Sequence, residues 1–411
     1  MLNIDNLARR RKQFMNQRFI IFILAMLNTV SPFALHIFPP AAPFVRREFD
    51  ISVAAAQWSV SIYPLILALT MLALGPLVDR YGRSNLLYLG VGLFSIGCVI
   101  CAFAPDLQVL IIGRSFQAAG AAAGSVIARA LAADLFERKD LARVFGYMSM
   151  VLVIAPMFAP FIAGFLIDGF GWRSIMWLLL VVGLLLVVVS RSAIKNLAVS
   201  GRVKLSATSP LSGFSMLITK PIFVHYLCIS GITQLGIFAF LSSAPYLMIE
   251  TLNRPASEYG AYFIFLSAGY MLGSYLSARM SAQFGIDRML LAAMGVYVLG
   301  VVVLFGFVIT GTWSPAAIFG AAALMTFANG IIQPNTMAGA MADAEGVEGS
   351  AASLTGFSLV MSGAIGLQLV GFLQDDTPNA MTGIIVVSGF ICAILVWNLM
   401  RLRARERMGA S

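Results

Sequence analysis

The chain consists of long apolar runs separated by short clusters of charged residues, proline and glycine. Each run is close to the roughly 20 residues that an α-helix needs to cross a bilayer. The runs lie near 19–40, 53–76, 84–104, 107–131, 144–167 and 172–191, and then near 222–247, 258–281, 288–310, 314–340, 349–373 and 380–400. This pattern predicts an all-α membrane protein with twelve transmembrane helices in two six-helix bundles.

The composition agrees with this prediction. The 411 residues are 60% hydrophobic and 11% charged, with a mean hydropathy of +0.90, whereas soluble domains are about half apolar and about a quarter charged. Twelve spans leave room only for short connections. The sequence therefore excludes a soluble enzyme and a disulfide-stapled secreted domain. It also excludes a nucleic-acid partner, in spite of the net charge of +9.

The basic residues predict how the helices are oriented. With both ends inside, 21 of the 27 Lys and Arg residues fall on the cytoplasmic side and 4 on the other, which is the bias typical of cytoplasmic loops. We therefore expect both termini in the cytoplasm. The predicted segments are a cytoplasmic tail at 1–18, a six-helix bundle at 19–191, a cytoplasmic linker at 192–221, a second bundle at 222–400 and a tail at 401–411.

Two six-helix halves joined by a basic linker favour a transporter, in which one half rocks against the other. A helical scaffold and an intramembrane enzyme are the alternatives, but the spans hold neither an acidic pair nor an H-E-x-x-H run. No G-x-x-x-x-G-K-[ST] loop is present, so we expect an ion gradient as energy source and no cofactor. Cys98 and Cys101 lie in an apolar run without His or acidic neighbours, and we interpret them as buried residues rather than a metal or redox site.

The connection after the second span carries a cluster of small and charged residues. The cluster reads G-x-x-x-D-R-x-G-R, and its named positions are Gly75, Asp79, Arg80, Gly82 and Arg83. A glycine lets helices approach closely, an aspartate can face a helix amino end, and a second glycine permits a sharp turn. The segment resembles the loop signature of the major facilitator superfamily. The resemblance implies that this cluster holds the cytoplasmic side closed when the cavity faces outward; the alternative is a positively charged turn.

The fourth span contains an arginine far from either end. Arg114 and Gln117 lie one turn apart, in a segment similar to the R-x-x-q-G pattern of the same superfamily. A guanidinium in the membrane normally faces a cavity or a functional partner. By the resemblance, Arg114 takes part in proton coupling or organises the cavity. The alternative is a structural arginine that donates to carbonyl groups.

The fifth span resembles the proline-rich motif of the antiporters in this superfamily. Pro156, Pro160 and Gly164 match the motif, while Ala159 stands where the pattern prefers glycine. Prolines bend a helix by removing backbone hydrogen bonds. Over nearly the whole chain, the sequence is most similar to the bicyclomycin-resistance type of twelve-span drug:proton antiporters, although its specific motifs lie in the first half.

The first span departs from that type. His36 stands where those exporters tend to carry an acid, and no Asp or Glu lies deep within any predicted span. An imidazole titrates near neutral pH and can serve as the protonation switch. A positively charged cavity without an acid favours neutral or anionic substrates. The alternative is a histidine near the outer end of its span that does not titrate.

The remaining cavity candidates are polar residues in apolar surroundings. They are Asn28, Tyr63, Gln234, Asn329 and Gln333, of which the last two lie four residues apart on one helix. A few polar groups in an aromatic cavity suit an amphiphilic small molecule. Each of them is equally compatible with hydrogen bonding between helices.

These observations predict a bacterial inner-membrane transporter that exchanges small amphiphilic compounds for protons and works as a monomer in the lipid bilayer. A second hypothesis is transport of an anionic or neutral metabolite, siderophore-like compounds included, with Arg114 in contact with the substrate. A third is a receptor or scaffold of the same fold that no longer transports; the intact cluster at 75–83 argues against it.

Overall fold

The computed structural model describes residues 4–81, 83–136, 144, 148, 157–194, 210–342, 344, 347–373 and 377–409. Within these residues, ten helices are long and apolar enough to cross a membrane. Two shorter apolar helices, Met157–Phe170 and Arg173–Leu186, lie where the fifth and sixth spans are predicted. The described helices thus account for all twelve predicted positions.

The first half contains the helices α1 to α7. Their bounds are α1 Ile4–His36, α2 Ala42–Phe49, α3 Val53–Tyr81, α4 Arg83–Ala102, α5 Leu107–Leu135, α6 Met157–Phe170 and α7 Arg173–Ile194. Helix α5 packs against α1, α3 and α4, and α4 also packs against α7. Asp106 begins α5 by accepting a hydrogen bond from the Val109 amide at 2.9 Å, as a helix N-cap does.

The second half contains the helices α8 to α14. Their bounds are α8 Pro210–Ile218, α9 Pro221–Tyr246, α10 Ala256–Phe284, α11 Ile286–Ile309, α12 Pro315–Ala342, α13 Glu348–Leu373 and α14 Asn379–Gly409. Helix α12 packs against α10 and α11, and α9 packs against α13 and α14. Glycines bring α10 and α12 together: a Cβ on Gly273 would lie 2.0 Å from the Phe327 carbonyl oxygen.

Two predicted connections contain short helices. The first span ends at His36, and the chain continues through a 3-10 turn at Pro39–Ala41 into α2. The prolines explain the break, because proline donates no backbone hydrogen bond. Helix α8 lies within the segment 192–221 that we predict to be a linker.

Among the described residues, the two halves meet at the end of the bundle opposite the start of α1 and the end of α14. Helix α3 packs against α13, and α2 packs against α9. On the other flank, α6 meets the beginning of α10, where a Cβ on Gly164 would lie 2.4 Å from the Ala256 carbonyl oxygen. The central cavity lies beneath these contacts.

Candidate functional site

A cavity of about 310 Å³ lies between α1 and the second half of the chain. Pro32 and His36 of α1 form one wall, and the rest comes from α9, α10, α12 and α13. Its size falls within the range of small-molecule sites. Of the predicted cavity residues, it brings together His36, Gln234, Asn329 and Gln333.

His36 is held in one orientation by its own helix and by two aromatic rings. Its Nδ1 lies 2.8 Å from the Pro32 carbonyl oxygen. Its ring meets that of Phe238 edge-on with centroids 6.1 Å apart, and that of Phe263 at 6.4 Å. Both phenylalanines belong to the second half, so the imidazole stands at the junction between the halves.

The three amides opposite form a chain of hydrogen bonds. Gln333 donates from Nε2 to the Ser230 carbonyl and to Asn329 Oδ1, both at 3.1 Å. Asn329 in turn donates from Nδ2 to Gln234 Oε1 at 3.2 Å. Ser230 Oγ donates to Gln333 Oε1 at 2.7 Å. Bonds between α9 and α12 therefore orient the amides that line the cavity.

The lining is otherwise apolar or hydroxylated. Among the lining residues that the structure describes, none is Asp, Glu, Lys or Arg. Phe238, Phe263 and Tyr270 supply the aromatic surface. A charged ligand buried here would find no countercharge, which disfavours it by several kcal/mol.

Arg114 lies elsewhere, in a fully buried cluster between α1, α3 and α5. Its guanidinium donates to the Ser59 carbonyl at 3.2 Å and to Gln117 Oε1 at 2.9 Å. The rings of Phe38 and Tyr63 lie 4.3 and 4.4 Å from its central carbon. Aromatic faces attract a cation, so the two rings compensate part of the charge that no described carboxylate neutralises.

This cluster unites three predicted residues but does not line the cavity. Tyr63 donates to the Ser31 carbonyl at 3.2 Å, and Gln117 donates to Cys98 Sγ at 3.1 Å. Arg114 Nη2 has no hydrogen-bond partner within the described part of the chain. Asn28 belongs to neither group: it is buried, and its carbonyl accepts a bond from Ser125 Oγ at 3.3 Å.

The two cysteines of the C-x-x-C sequence are both buried. Cys101 Sγ lies 3.7 Å from the Leu110 carbonyl oxygen. Over the described residues, no three His, Cys, Asp or Glu side chains come together in a way that suits a metal ion.

Part of the predicted machinery lies outside the described residues. This holds for Gly82 and Pro156, and for the side chains of Asp79, Arg80 and Arg83. The surroundings of Gly75 likewise lie outside them. The roles that we expect of the cluster at 75–83 therefore stay predictions.

Polar contacts between the halves lie above the cavity, on the face opposite the termini. Gln57 Nε2 donates to the Ser242 carbonyl at 3.0 Å, and Ser61 Oγ donates to Gln368 Oε1 at 2.7 Å. Arg46 forms an ion pair with Glu250. We call these bonds, together with the contact between α6 and α10, the seal.

The contact between α6 and α10 has its own polar element. The Asp168 carboxylate accepts hydrogen bonds from the backbone amides of Ala256 and Ser257 at 3.1 and 2.9 Å. A negative charge at the amino end of a helix is stabilising. Pro160 and Gly164 of the predicted antiporter motif lie on the face of α6 that touches α10. The proline and the glycine thus serve a contact between the halves.

The aromatic and hydroxyl residues of α10 are absent from the predicted cavity set. Phe263, Ser267 and Tyr270 line the cavity and recur at a spacing of three to four residues, which places them on one helix face. That spacing is visible in the sequence, but it equally suits a helix face that contacts lipid.

Comparisons with known proteins agree with the fold. The sequence profile of the Major Facilitator Superfamily matches residues 21–367. The chain is 26% identical to a bicyclomycin resistance protein homolog of Haemophilus influenzae, over 89% of this chain and 93% of that protein. It is 25% identical to multidrug resistance protein D of Escherichia coli, over 92% and 94%.

Solved structures show the same architecture. A bacterial homolog of the human lysosomal transporter Spinster, in an inward-facing and unoccupied conformation, has a TM-score of 0.70 at 17% identity, covering 94% of this chain and 97% of that one. A bacterial homologue of the iron transporter ferroportin, in an inward-facing state, has a TM-score of 0.70 at 16% identity, covering 93% and 98%. The predicted fold, an all-α membrane protein with two six-helix bundles, is confirmed.

Proposed function

The chain belongs to the major facilitator superfamily, and from this premise we propose that it exports small amphiphilic compounds in exchange for protons by alternating access. It is a multi-pass membrane transporter and not an enzyme. Its similarity to bicyclomycin and multidrug resistance proteins supports drug efflux as the activity. The location proposed is the bacterial inner membrane, with both termini in the cytoplasm and a monomer as the working unit.

The observation that carries the proposal is the apolar cavity with a single imidazole in its wall. The described lining combines aromatic rings with amides and hydroxyls and includes no acid or permanent cation. Such a surface suits an uncharged amphiphile with an aromatic body. His36 is then the group that takes up and releases the proton, because an imidazole titrates near neutral pH. The proton gradient supplies the energy, and no cofactor takes part.

The seal supports the alternating-access part of the proposal. It joins the two halves on the face opposite the termini, through side chains such as Gln57 and Ser61. Breaking a few neutral hydrogen bonds in exchange for water costs about 1 kcal/mol each. A seal of this kind can therefore open and close during transport. The cavity would open to the outside when these bonds break and the halves rock.

Arg114 has a structural part in this proposal. The cluster of Arg114, Gln117 and Tyr63 ties α1 and α3 to α5, directly behind the helix that ends at His36. A role as a direct substrate contact, which the anionic-metabolite hypothesis requires, gains no support because aromatic rings cover the guanidinium. We assign Arg114 to positioning the end of α1.

Transport in proteoliposomes tests the proposal. Three probes share one scaffold: neutral 4-(hydroxymethyl)benzophenone, anionic 4-benzoylbenzoate and cationic 4-benzoylbenzyltrimethylammonium. Initial uptake into vesicles with an acidic interior is compared with uptake without a gradient, and protein-free vesicles give the passive leak. We expect gradient-dependent uptake of the neutral probe above the leak. Gradient-independent uptake that favours the anion would contradict the proposal.

A further inference from the structure

The cavity presents hydrogen-bonding groups of fixed direction at two places, and backbone carbonyls set both directions. A backbone carbonyl accepts hydrogen bonds and never donates. A side chain bonded to one must therefore turn a donor toward it. This constraint decides how the rest of that side chain faces the cavity, and it applies to His36 on one side and to the amide chain on the other.

On the α1 side, the Pro32 carbonyl fixes the tautomer of His36. Nδ1 lies 2.8 Å from this oxygen, so Nδ1 carries the hydrogen. In a neutral imidazole the other nitrogen is then an acceptor. His36 Nε2 has no hydrogen-bond partner among the described residues. The imidazole therefore offers an acceptor to whatever occupies the cavity.

On the opposite side, the Ser230 carbonyl fixes the direction of three amides in turn. Gln333 must point its nitrogen at this carbonyl, and the same nitrogen reaches Asn329 at 3.1 Å. Asn329 consequently turns its oxygen to Gln333 and its nitrogen to Gln234 Oε1. Gln234 Nε2 remains without a partner in the described structure. The chain of amides thus ends in a donor at the cavity wall.

The other polar groups of the lining do not impose a direction. Ser267 and Tyr270 carry hydroxyl groups, which both donate and accept. The Thr326 hydroxyl already donates to the Leu266 carbonyl at 3.0 Å. Among the described lining residues, His36 and Gln234 thus each end in a nitrogen of fixed hydrogen-bonding polarity that has no protein partner.

We infer that the cavity selects neutral aromatic ligands that place a hydrogen-bond donor against His36 Nε2 and an acceptor against Gln234 Nε2. The inference rests on the proposed transport function and adds the substrate class to it. An alcohol, amide or anilide N–H or O–H meets the first requirement, and a ketone or amide carbonyl meets the second. A ligand that lacks either group leaves a cavity nitrogen without a partner, and an unpaired polar group that is cut off from water is costly.

Three neutral probes separate the two requirements. The first, 4-(hydroxymethyl)benzophenone, has both donor and acceptor; its O-methyl ether lacks the donor; and 4-benzylbenzyl alcohol lacks the ketone. Binding is measured by titration calorimetry with the full chain in lipid nanodiscs at pH 8, where an imidazole is ordinarily neutral. We expect the first probe to bind about tenfold more tightly than either of the others, which is the effect of one hydrogen bond.

Variants assign each preference to one residue. His36→Phe keeps a ring but removes the acceptor, and should abolish the preference for the alcohol over the ether while keeping that for the ketone. Gln234→Met should do the reverse. His36→Gln keeps an acceptor near the position of Nε2 and should retain the preference for the alcohol. Leu272→Met changes an exposed apolar residue of α10 that is not part of the described cavity lining; it is the control and should leave both preferences intact.

The outcomes distinguish this inference from the proposed function. Equal affinities for the three probes, or no binding of the first probe to the native protein, would overturn the inference. So would preferences that persist in both His36→Phe and Gln234→Met. Because His36→Gln cannot carry a proton, it separates the two claims: retained selectivity supports the inference even where gradient-driven flux is lost. If the native protein shows both probe preferences but no gradient-driven flux, only the proposed function is refuted.

Discussion

Replacing Gly164 by alanine should open the seal. A Cβ at this position would lie 2.4 Å from the Ala256 carbonyl oxygen and 2.6 Å from Ser257 Cα, whereas ordinary contacts begin at 3.4 Å. Both neighbouring atoms belong to the backbone of α10, so no side chain can rotate away. Helices α6 and α10 must therefore separate by about 1 Å, as overpacked interfaces do.

The size of the effect follows from the cost of overpacking, which is about 1 to 3 kcal/mol. The clash exists only while α6 and α10 are in contact, so the whole cost falls on the sealed state. Since 1.4 kcal/mol corresponds to a factor of ten, the ratio of open to sealed molecules should rise by about 5- to 150-fold. Helix propensity does not change this ratio, because the gain of up to about 1 kcal/mol from alanine in place of glycine stabilises α6 equally in both states.

Distances between spin labels measure the change. Phe103→Cys and Ile309→Cys, in a background without the four native cysteines, place labels on both halves near the seal, where the native side chains are 69% and 67% exposed. In pulsed electron paramagnetic resonance, the Gly164→Ala variant should show a larger population of molecules with a longer distance between the two labels. Gly169→Ala is the matched control, because a Cβ there meets nothing within 4 Å. Identical distance distributions in the two variants would refute the reasoning, provided that both melt at the native temperature.

Three further substitutions test other parts of the account. Asp168→Asn keeps an oxygen acceptor but removes the negative charge at the amino end of α10. In the same spin-label experiment, this variant should raise the population of open molecules about two- to fivefold, and by less at high salt. Arg114→Ala removes the hydrogen bonds that the guanidinium donates to Gln117 Oε1 and to the Ser59 carbonyl. Flux should be lost while the protein stays in the membrane, and unchanged flux would contradict the positioning role. Asp79→Asn should lower the turnover rate more than the affinity in a flux assay, and a loss of affinity alone would contradict the predicted gating.

The sequence predicts the positions of the membrane spans well, because these depend on the length of apolar runs and little else. The apolar runs do not predict the short helix α2, because its charged residues are typical of a loop. Four of the eight predicted cavity residues lie in the described lining. Asn329 and Gln333 share a helix face by their spacing, and the structure places both in the lining.

The sequence predicts how deep Arg114 lies in the membrane but not which side chains surround it. Its depth in the fourth span follows from counting residues, but the direction in which it points does not. Phe38 and Tyr63, which enclose the guanidinium, come from two other parts of the chain. Only helix packing brings these rings to one place. The same holds for Asp168, whose partners are backbone amides almost 90 residues away.

The central claim is that His36 couples substrate movement to protons. The most direct test compares two fluxes in His36→Gln proteoliposomes: exchange of labelled for unlabelled 4-(hydroxymethyl)benzophenone at equal pH, and uptake driven by an acidic interior. The account predicts that exchange persists, because glutamine keeps an acceptor in the cavity, while the pH gradient no longer drives uptake. Gradient-driven uptake at the native rate in His36→Gln would contradict the claim.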